Sequence, residues 1–336
     1  MNYILYCAIS SEMIIYQIIY SIVSIQRVTN CTRVTFVVVT DQAEVFHKEI
    51  KEKNLQIQNV IVEGIAHTMA SEWIGDDKYI YRVKIKAIEY FFQKYKHNVL
   101  FLDGDTAAFR DILPLFESMR ENEFTMFRTD KKIIENIELK QDYFHLKDKK
   151  YNISADYYYY NSGVIGIHRS FKNKIKEVLE LSDVIYKQTG TIVAEEIAFS
   201  CIMQDNGNIR SAVPYFIHYV FWKESAYLIG SILGFFLHDH EKMFAEFINP
   251  IKIDEKIMQN SWMNEQNLRF IIPIFMFLKY GGKLDINLLT SVTIEHGFIE
   301  DNQTDKEELK QFLDIFLSEY MKPKKDKSDD EYIYIM

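Results

Sequence analysis

The stretch Val99-Leu100-Phe101-Leu102-Asp103-Gly104-Asp105-Thr106 decides how this chain is read. Four consecutive apolar residues are what a strand buried on both faces of a parallel sheet requires. They run directly into two carboxylates separated by one glycine. Parallel sheets take their ligands at the carboxyl ends of the strands, so this turn lies where a site belongs. Paired carboxylates at that spacing hold Mg²⁺ or Mn²⁺, hard cations that prefer oxygen ligands. Gly104 lets the backbone or a ligand come close. On spacing alone, a solvated turn bearing two acids fits as well.

Upstream of this turn, β-rich runs alternate with helical patterns. Tyr3 to Ile9, Val34 to Val39 and Ile57 to Val62 read as further strands. Glu12 to Ile25, Ala43 to Lys53 and Ile80 to Tyr95 read as helices. The alternation predicts an α/β fold with a mostly parallel, Rossmann-like sheet flanked by helices. From about Ala107 the pattern becomes mixed. Tyr157 to Tyr160 leads into Asn161-Ser162-Gly163 and the apolar run to Ile167, and Ala194 to Met203 reads as a helix. Beyond Trp222 the text is mainly helical and ends in an amphipathic stretch carrying Leu309, Phe312, Leu313, Phe316 and Tyr320. Residues 322–336 form a charged tail expected to be disordered. Three regions follow: a catalytic domain over 1–222, a helical C-terminal appendage over 223–321, and that tail.

The 336 residues are 48% hydrophobic and 15% aromatic, enough for a sizeable core. The net charge of -9 argues against a sequence-independent grip on nucleic acid, which needs clustered Lys and Arg. Cys7, Cys31 and Cys201 are odd in number and far apart, which suits neither a disulfide framework nor a zinc site. No basic n-region opens the chain, and no segment reaches the ~18 apolar residues that span a bilayer. These features predict a cytoplasmic protein. Tyr227 to Leu237 and Phe270 to Leu278 are apolar enough to leave a peripheral membrane contact open, although the core of a helical appendage explains them better.

The order of these features resembles the GT-A nucleotide-sugar glycosyltransferases, in particular the branch of glycogenin and the bacterial lipopolysaccharide galactosyl- and glucosyltransferases. That branch has a helix with basic residues before the Asp-x-Asp strand; here it carries Arg82, Lys84 and Lys86. An Asn-Ser-Gly-Val segment follows, matched literally by Asn161-Ser162-Gly163-Val164. Next comes a helix opening on an acidic pair or Asp-Gln, matched by Glu195-Glu196. Last is a His with an aromatic neighbour and a Lys shortly after, answered by His218-Tyr219 and Lys223. The resemblance covers roughly residues 3 to 225. Two departures stand out: the second Glu replaces the more familiar Gln, and no Gly lies between His218 and Lys223.

The resemblance implies a metal-dependent hexosyltransferase that uses Mn²⁺ or Mg²⁺. It would move a sugar from a nucleotide-sugar, UDP by default, to a glycan, lipid-linked or protein acceptor, with retention of configuration. Carried over, Asp103, Asp105 and His218 bind the metal, and Lys223 offsets diphosphate charge. Arg82 or Lys86 contacts the donor phosphate or sugar. Ala8 and Ser10 line the nucleoside pocket beside Gly104, with Tyr16 available to stack on the base. Asn161, Ser162 and Glu195 face the transferred sugar. Each residue also has a plain structural reading: His218 as a core histidine, Glu195 and Glu196 as N-terminal helix charges, Arg82 and Lys86 as solvated side chains, Tyr16 as core.

Two other enzyme classes fail on the residues. A dehalogenase-type phosphatase wants a Thr four residues after its first Asp, where this chain has Ala107. A nucleotidylyltransferase wants a Gly-rich loop after its first strand, and the first glycine here is Gly64. The remaining alternative is a non-catalytic module of the same fold that binds sugar-nucleotide or acts as a scaffold.

Overall fold

The computed structural model describes residues 2–52, 54–108, 110–133, 143–153, 157–212, 214–218, 290, 294 and 301–320. Four parallel strands form one half of its main sheet: β1 (Asn2–Ala8), β2 (Val34–Thr40), β3 (Val60–Gly64) and β4 (Val99–Leu102). β6 (Glu123–Lys132), β9 (Tyr158–Ile167) and β10 (Asn208–Ser211) complete it, in the order β10-β6-β9-β4-β1-β2-β3. β9 is antiparallel to both its neighbours, and the other pairings in the sheet are parallel.

Burial on both faces explains the unbroken apolar runs. Tyr3, Leu5, Val37, Val39, Val99 and Phe101 join one core with α4 (Arg82–Lys94), α6 (Ile175–Thr189) and α7 (Ala194–Asn206). The alternate residues point to the opposite face. There Tyr6 Oη shares a 2.8 Å hydrogen bond with Ser21 of α1 (Glu12–Val28).

Connectivity creates the crevice. The chain lays β2 and β3 to one side of β1, then returns through α3 (His67–Ile74) and α4 to place β4 on the other side. The carboxyl ends of β1 and β4 therefore flank the point where strand order reverses, the usual ligand position in open parallel sheets. β9 runs back along β4 with Val164 opposite Leu102. A separate two-stranded ribbon pairs β5 (Thr106–Ala108) with β11 (Phe216–His218), placing His218 opposite Thr106.

Several expected boundaries move. The third strand starts at Val60 rather than Ile57, because Asn59 sits at φ 53°, a left-handed conformation that does not continue a strand. The fourth helix starts at Arg82, and Ile80 and Tyr81 lie in the preceding turn. Elements not expected from sequence are α3, α5 (Leu113–Ser118), α6, β6 and the hairpin of β7 (Tyr143–Leu146) with β8 (Lys149–Asn152). Ile175, Val178, Leu179, Ser182 and Ile185 form the buried stripe of α6, and Gly190 ends it at φ 70°.

The chain divides into two compact units, Met1–His218 and Tyr219–Met336. In the second, the described helix is α8 (Gln303–Tyr320), which contains the buried Leu309. Residues 219–289, with the apolar stretches at 227–237 and 270–278, and the tail 322–336 lie outside the described residues. Among the described residues no helix is long and apolar enough to cross a membrane.

Candidate active site

Asp103 and Asp105 leave the carboxyl end of β4, and three elements converge on them. The backbone N–H of Asp103 donates to the Gly163 carbonyl of β9 at 2.9 Å. Thr106 Oγ1 closes the turn by donating to the Asp103 carbonyl at 2.8 Å. The β5–β11 ribbon then delivers His218, whose Nε2 lies 3.0 Å from Asp105 Oδ1 and 3.8 Å from Asp103 Oδ2. Ligand atoms from Asp103, Asp105 and His218 all lie within 4.8 Å of one another. Two hard oxygen donors and one imidazole nitrogen suit a divalent cation such as Mn²⁺ or Mg²⁺. His218 is 2% exposed and Asp105 is 7%, so charge placed there meets little solvent screening.

The basic residue at this centre is Lys84. Its Nζ donates to Asp103 Oδ2 at 3.0 Å, to Ser162 Oγ at 2.6 Å and to the Ser162 carbonyl at 3.2 Å. Glu195 Oε1 lies 3.5 Å away. Burial pulls the Lys84 ammonium down, but Asp103, Glu195 and Glu196 outweigh it and hold the pKa above the ordinary lysine range. The sequence reading looked to Arg82 or Lys86 for this cation. Arg82 instead pairs with Asp183 at 2.9 Å and donates to the Trp73 carbonyl at 2.8 Å. Lys86 pairs with Glu89 one turn along the same helix. The helical period supplies the reason: Lys84 and Ile85 turn into the sheet with Ile88, while Arg82 and Lys86 flank that face. A lysine inside a buried stripe was the signal to weigh.

Asn161, Ser162, Glu195 and Glu196 meet behind the turn. Asn161 Nδ2 donates to Glu196 Oε1 at 2.7 Å, and Ser162 Oγ to Glu195 Oε1 at 3.0 Å. Tyr79 Oη donates to Glu195 Oε2 at 2.8 Å and accepts from the Glu195 N–H at 2.9 Å. Burial raises the Glu195 pKa, against the lowering influence of Lys84, Tyr79 and Ser162. Tyr79 was not expected at the site. It lies outside every regular element, where periodicity gives no signal.

The predicted nucleoside side is more dispersed. Ala8 ends β1 and is 1% exposed. Ser10 follows at φ 55°, with its N–H donating to Asp41 Oδ1 at 2.9 Å and its hydroxyl to Oδ2 at 3.3 Å. His67 Nδ1 meets the same carboxylate at 3.0 Å. The Tyr16 hydroxyl donates to Glu12 at 3.4 Å, and burial followed by Glu49 and Glu12 raises its pKa. Gly104 serves the packing on α1, since a Cβ there would lie 3.1 Å from the Ile14 carbonyl and 3.2 Å from Gln17 Cβ. Lys223 lies outside the described residues.

The model of glycosyl transferase family 8 matches residues 2–177. The chain belongs to that family. It is therefore a glycosyltransferase, an enzyme with a nucleotide-sugar donor and an acceptor. No curated protein matches it by sequence. Among solved structures, it is similar to the galactosyltransferase LgtC in complex with donor and acceptor sugar analogues. That pair shares 14% identity and a TM-score of 0.41, over 62% of this chain and 73% of LgtC. The apo glycosyltransferase GlyE of Streptococcus pneumoniae TIGR4 matches at 14% identity and TM-score 0.38, over 67% of this chain and 49% of GlyE. Mouse xyloside xylosyltransferase 1 in its apo form matches at 11% identity and TM-score 0.42, over 74% and 93%.

Proposed function

We propose that this glycosyltransferase moves a hexose from UDP-sugar to a glycan, lipid-linked or protein acceptor, with retention, using Mn²⁺ or Mg²⁺ held by Asp103, Asp105 and His218. The observation that carries the proposal is the convergence of those three side chains within 4.8 Å, at the switch point of the sheet. When bound there, the divalent ion supplies Lewis-acid neutralisation of the diphosphate leaving group.

The chain's own residues perform the remaining tasks. Lys84, fixed by Asp103, Ser162 and Glu195, presents a permanent positive charge to the donor's phosphate or sugar. Lys223 adds a second charge on the diphosphate side. Asp41, just past β2, anchors Ser10 past β1 and His67 past β3, so these two groups bound the nucleoside side. Glu195 is committed to Tyr79, Ser162 and Lys84, which suits a positioning task better than proton abstraction from the acceptor. Retention follows the same logic, with the departing phosphate accepting the acceptor's proton. The catalytic domain is taken to end near residue 222, before a helical region over 223–321. A cytoplasmic setting accords with the three free cysteines.

The test is thermal unfolding with a panel of nucleoside diphosphates and Mn²⁺, on wild type and Asp105→Ala. A metal-dependent rise in Tm with uridine diphosphate, lost in the variant, is expected. A rise with another base corrects the donor. No rise with any nucleotide removes the metal-dependent reading. Binding without sugar transfer to any acceptor favours the scaffold alternative.

A further inference from the structure

Asn161 and Ser162, with Glu195, are expected to face the transferred sugar. We infer that Asn161 and Gly163 also seat His218, fixing the ring orientation and the tautomer so that Nε2 is the nitrogen that would ligate a cation shared with Asp103 and Asp105. The inference rests on the metal reading above and assigns Asn161 as a positioning residue.

The hydrogen bonds decide which way round Asn161 sits. The Gly163 N–H donates to Asn161 Oδ1 at 3.0 Å. On the other side, Nδ2 donates to Glu196 Oε1 at 2.7 Å, an oxygen that also accepts from the Ser162 N–H at 3.4 Å. Reversing the amide would set donor against donor at Gly163 and acceptor against acceptor at Glu196. Asn161 Oδ1 therefore faces His218 Nδ1, 2.8 Å away, and that nitrogen carries the proton. A neutral imidazole has one donor and one acceptor, so Nε2 is left with its lone pair. Nε2 lies 3.0 Å from Asp105 Oδ1 and 3.8 Å from Asp103 Oδ2, where a cation bound among the three atoms would take the place of a second ring proton shared with Asp105. Metal-bound histidines commonly have their second nitrogen held in this way.

Gly163 makes the room. A Cβ at this position would lie 2.4 Å from both Cε1 and Nδ1 of His218, closer than any side chain can stand. The residue is in β9 with its carbonyl committed to Asp103, so the backbone cannot withdraw without disturbing the first ligand as well. The motif thus combines an acceptor that orients the ring with an absent side chain that admits it.

The experiment is a Mn²⁺ titration of the full chain followed by electron paramagnetic resonance, without nucleotide. Wild type, Asn161→Ala, Asn161→Asp and Gly163→Ala are each made with and without His218→Ala. Asn161→Ala and Gly163→Ala are expected to weaken Mn²⁺ binding by about 10–100-fold. Asn161→Asp keeps an acceptor for Nδ1–H and, combined with Glu196→Gln so that no carboxylate opposes it, is expected to stay within about threefold of wild type. In the His218→Ala background, Asn161→Ala is expected to cost nothing further, because it acts through the ring that is gone. Wild-type affinity in a folded Asn161→Ala overturns the inference, as does an equal loss in both backgrounds. Should Asn161→Ala fail to fold, the same cycle with Gly163→Ala decides. A wild type that binds Mn²⁺ while the variants match it sinks this inference alone. A wild type that binds no Mn²⁺ sinks the metal reading with it.

Discussion

Two lysine–carboxylate clusters lie on this sheet and are built from similar parts. In one, Glu63 at the end of β3 accepts from Lys94 at 2.5 Å and from the phenols of Tyr95 and Tyr90. In the other, Lys84 meets Asp103 and Glu195, with Tyr79 holding Glu195 and with Asp105 and Glu196 one contact further out. The first is balanced, one cation for one anion, and Lys94 remains 47% exposed at its side chain. Among the described residues, the second gathers four carboxylates around the buried Lys84. Gathering carboxylates raises the cost of burying each one, and cations held among them offset that cost. A balanced pair pins a helix to a strand. Several carboxylates beside a histidine form a donor set that suits a divalent cation.

The largest test of that contrast is to remove the carboxylate nearest His218. Asp105→Ala is expected to lower sugar transfer by about 10³-fold or more, several kcal/mol of lost charge stabilisation, measured with saturating donor and Mn²⁺. The matching change in the balanced cluster, Glu63→Gln, is expected to leave transfer unchanged. A large activity loss at Glu63 would break the division between the two.

Stability should separate the lysines next. Lys84→Met leaves the buried Glu195 and the partly exposed Asp103 without this cation and is expected to cost about 3–5 kcal/mol in denaturant unfolding of the apo protein. Lys94→Met removes a half-exposed pair and is expected to cost under about 1 kcal/mol. Equal costs would mean that the excess negative charge is relieved in some other way.

A smaller effect is expected at Tyr79. Tyr79→Phe removes the donor to Glu195 Oε2 and the acceptor of the Glu195 N–H, at about 1–2 kcal/mol. The same substitution should raise the Glu195 pKa further, because the lost hydrogen bond favoured the ionised form.

The smallest effect is a difference of slope with pH. The Glu63 pKa is lowered: burial raises it, but the bonds from Lys94 and Tyr95 outweigh that. Its contribution is therefore present above the unfolded carboxylate pKa and lost as pH falls through the folded one. The Glu195 pKa is raised, chiefly by burial. The folded state then holds its proton longer, and stability falls as pH rises from the unfolded pKa towards the folded one. Apo-protein unfolding measured against pH should lose the rising limb's steepness in Glu63→Gln and the falling contribution in Glu195→Gln. Identical changes in both variants would show that the clusters titrate alike.

Much of the fold was legible from local pattern. The runs around Tyr3 to Ile9, Val34 to Val39 and Val99 to Leu102 are apolar throughout because both faces of their sheet are covered, and length separates them from helices. Elements after Ala107 were less legible. β6, the β7–β8 hairpin and β10 are set by pairing partners distant in sequence, and their own residues are too mixed to declare a period. α6 did carry its stripe of Ile175, Val178, Leu179 and Ile185, and only its position among mixed text concealed it.

At the site, the sequence by itself determined which residues have the chemistry for a metal and where one of them must stand. A strand ending in Asp-Gly-Asp places two carboxylates at the carboxyl end of the sheet by local rules alone. Tertiary structure decided the rest. His218 reaches those carboxylates because β11 pairs with β5 across more than a hundred residues. Lys84 rather than Arg82 or Lys86 becomes the central cation because the rotation of α4 on the sheet turns that position inward. Asn161 and Gly163 acquire a task only once a histidine from elsewhere lies against them. Residue type and spacing are local properties, whereas the direction of a side chain and the charges around it depend on which distant segments fold against it.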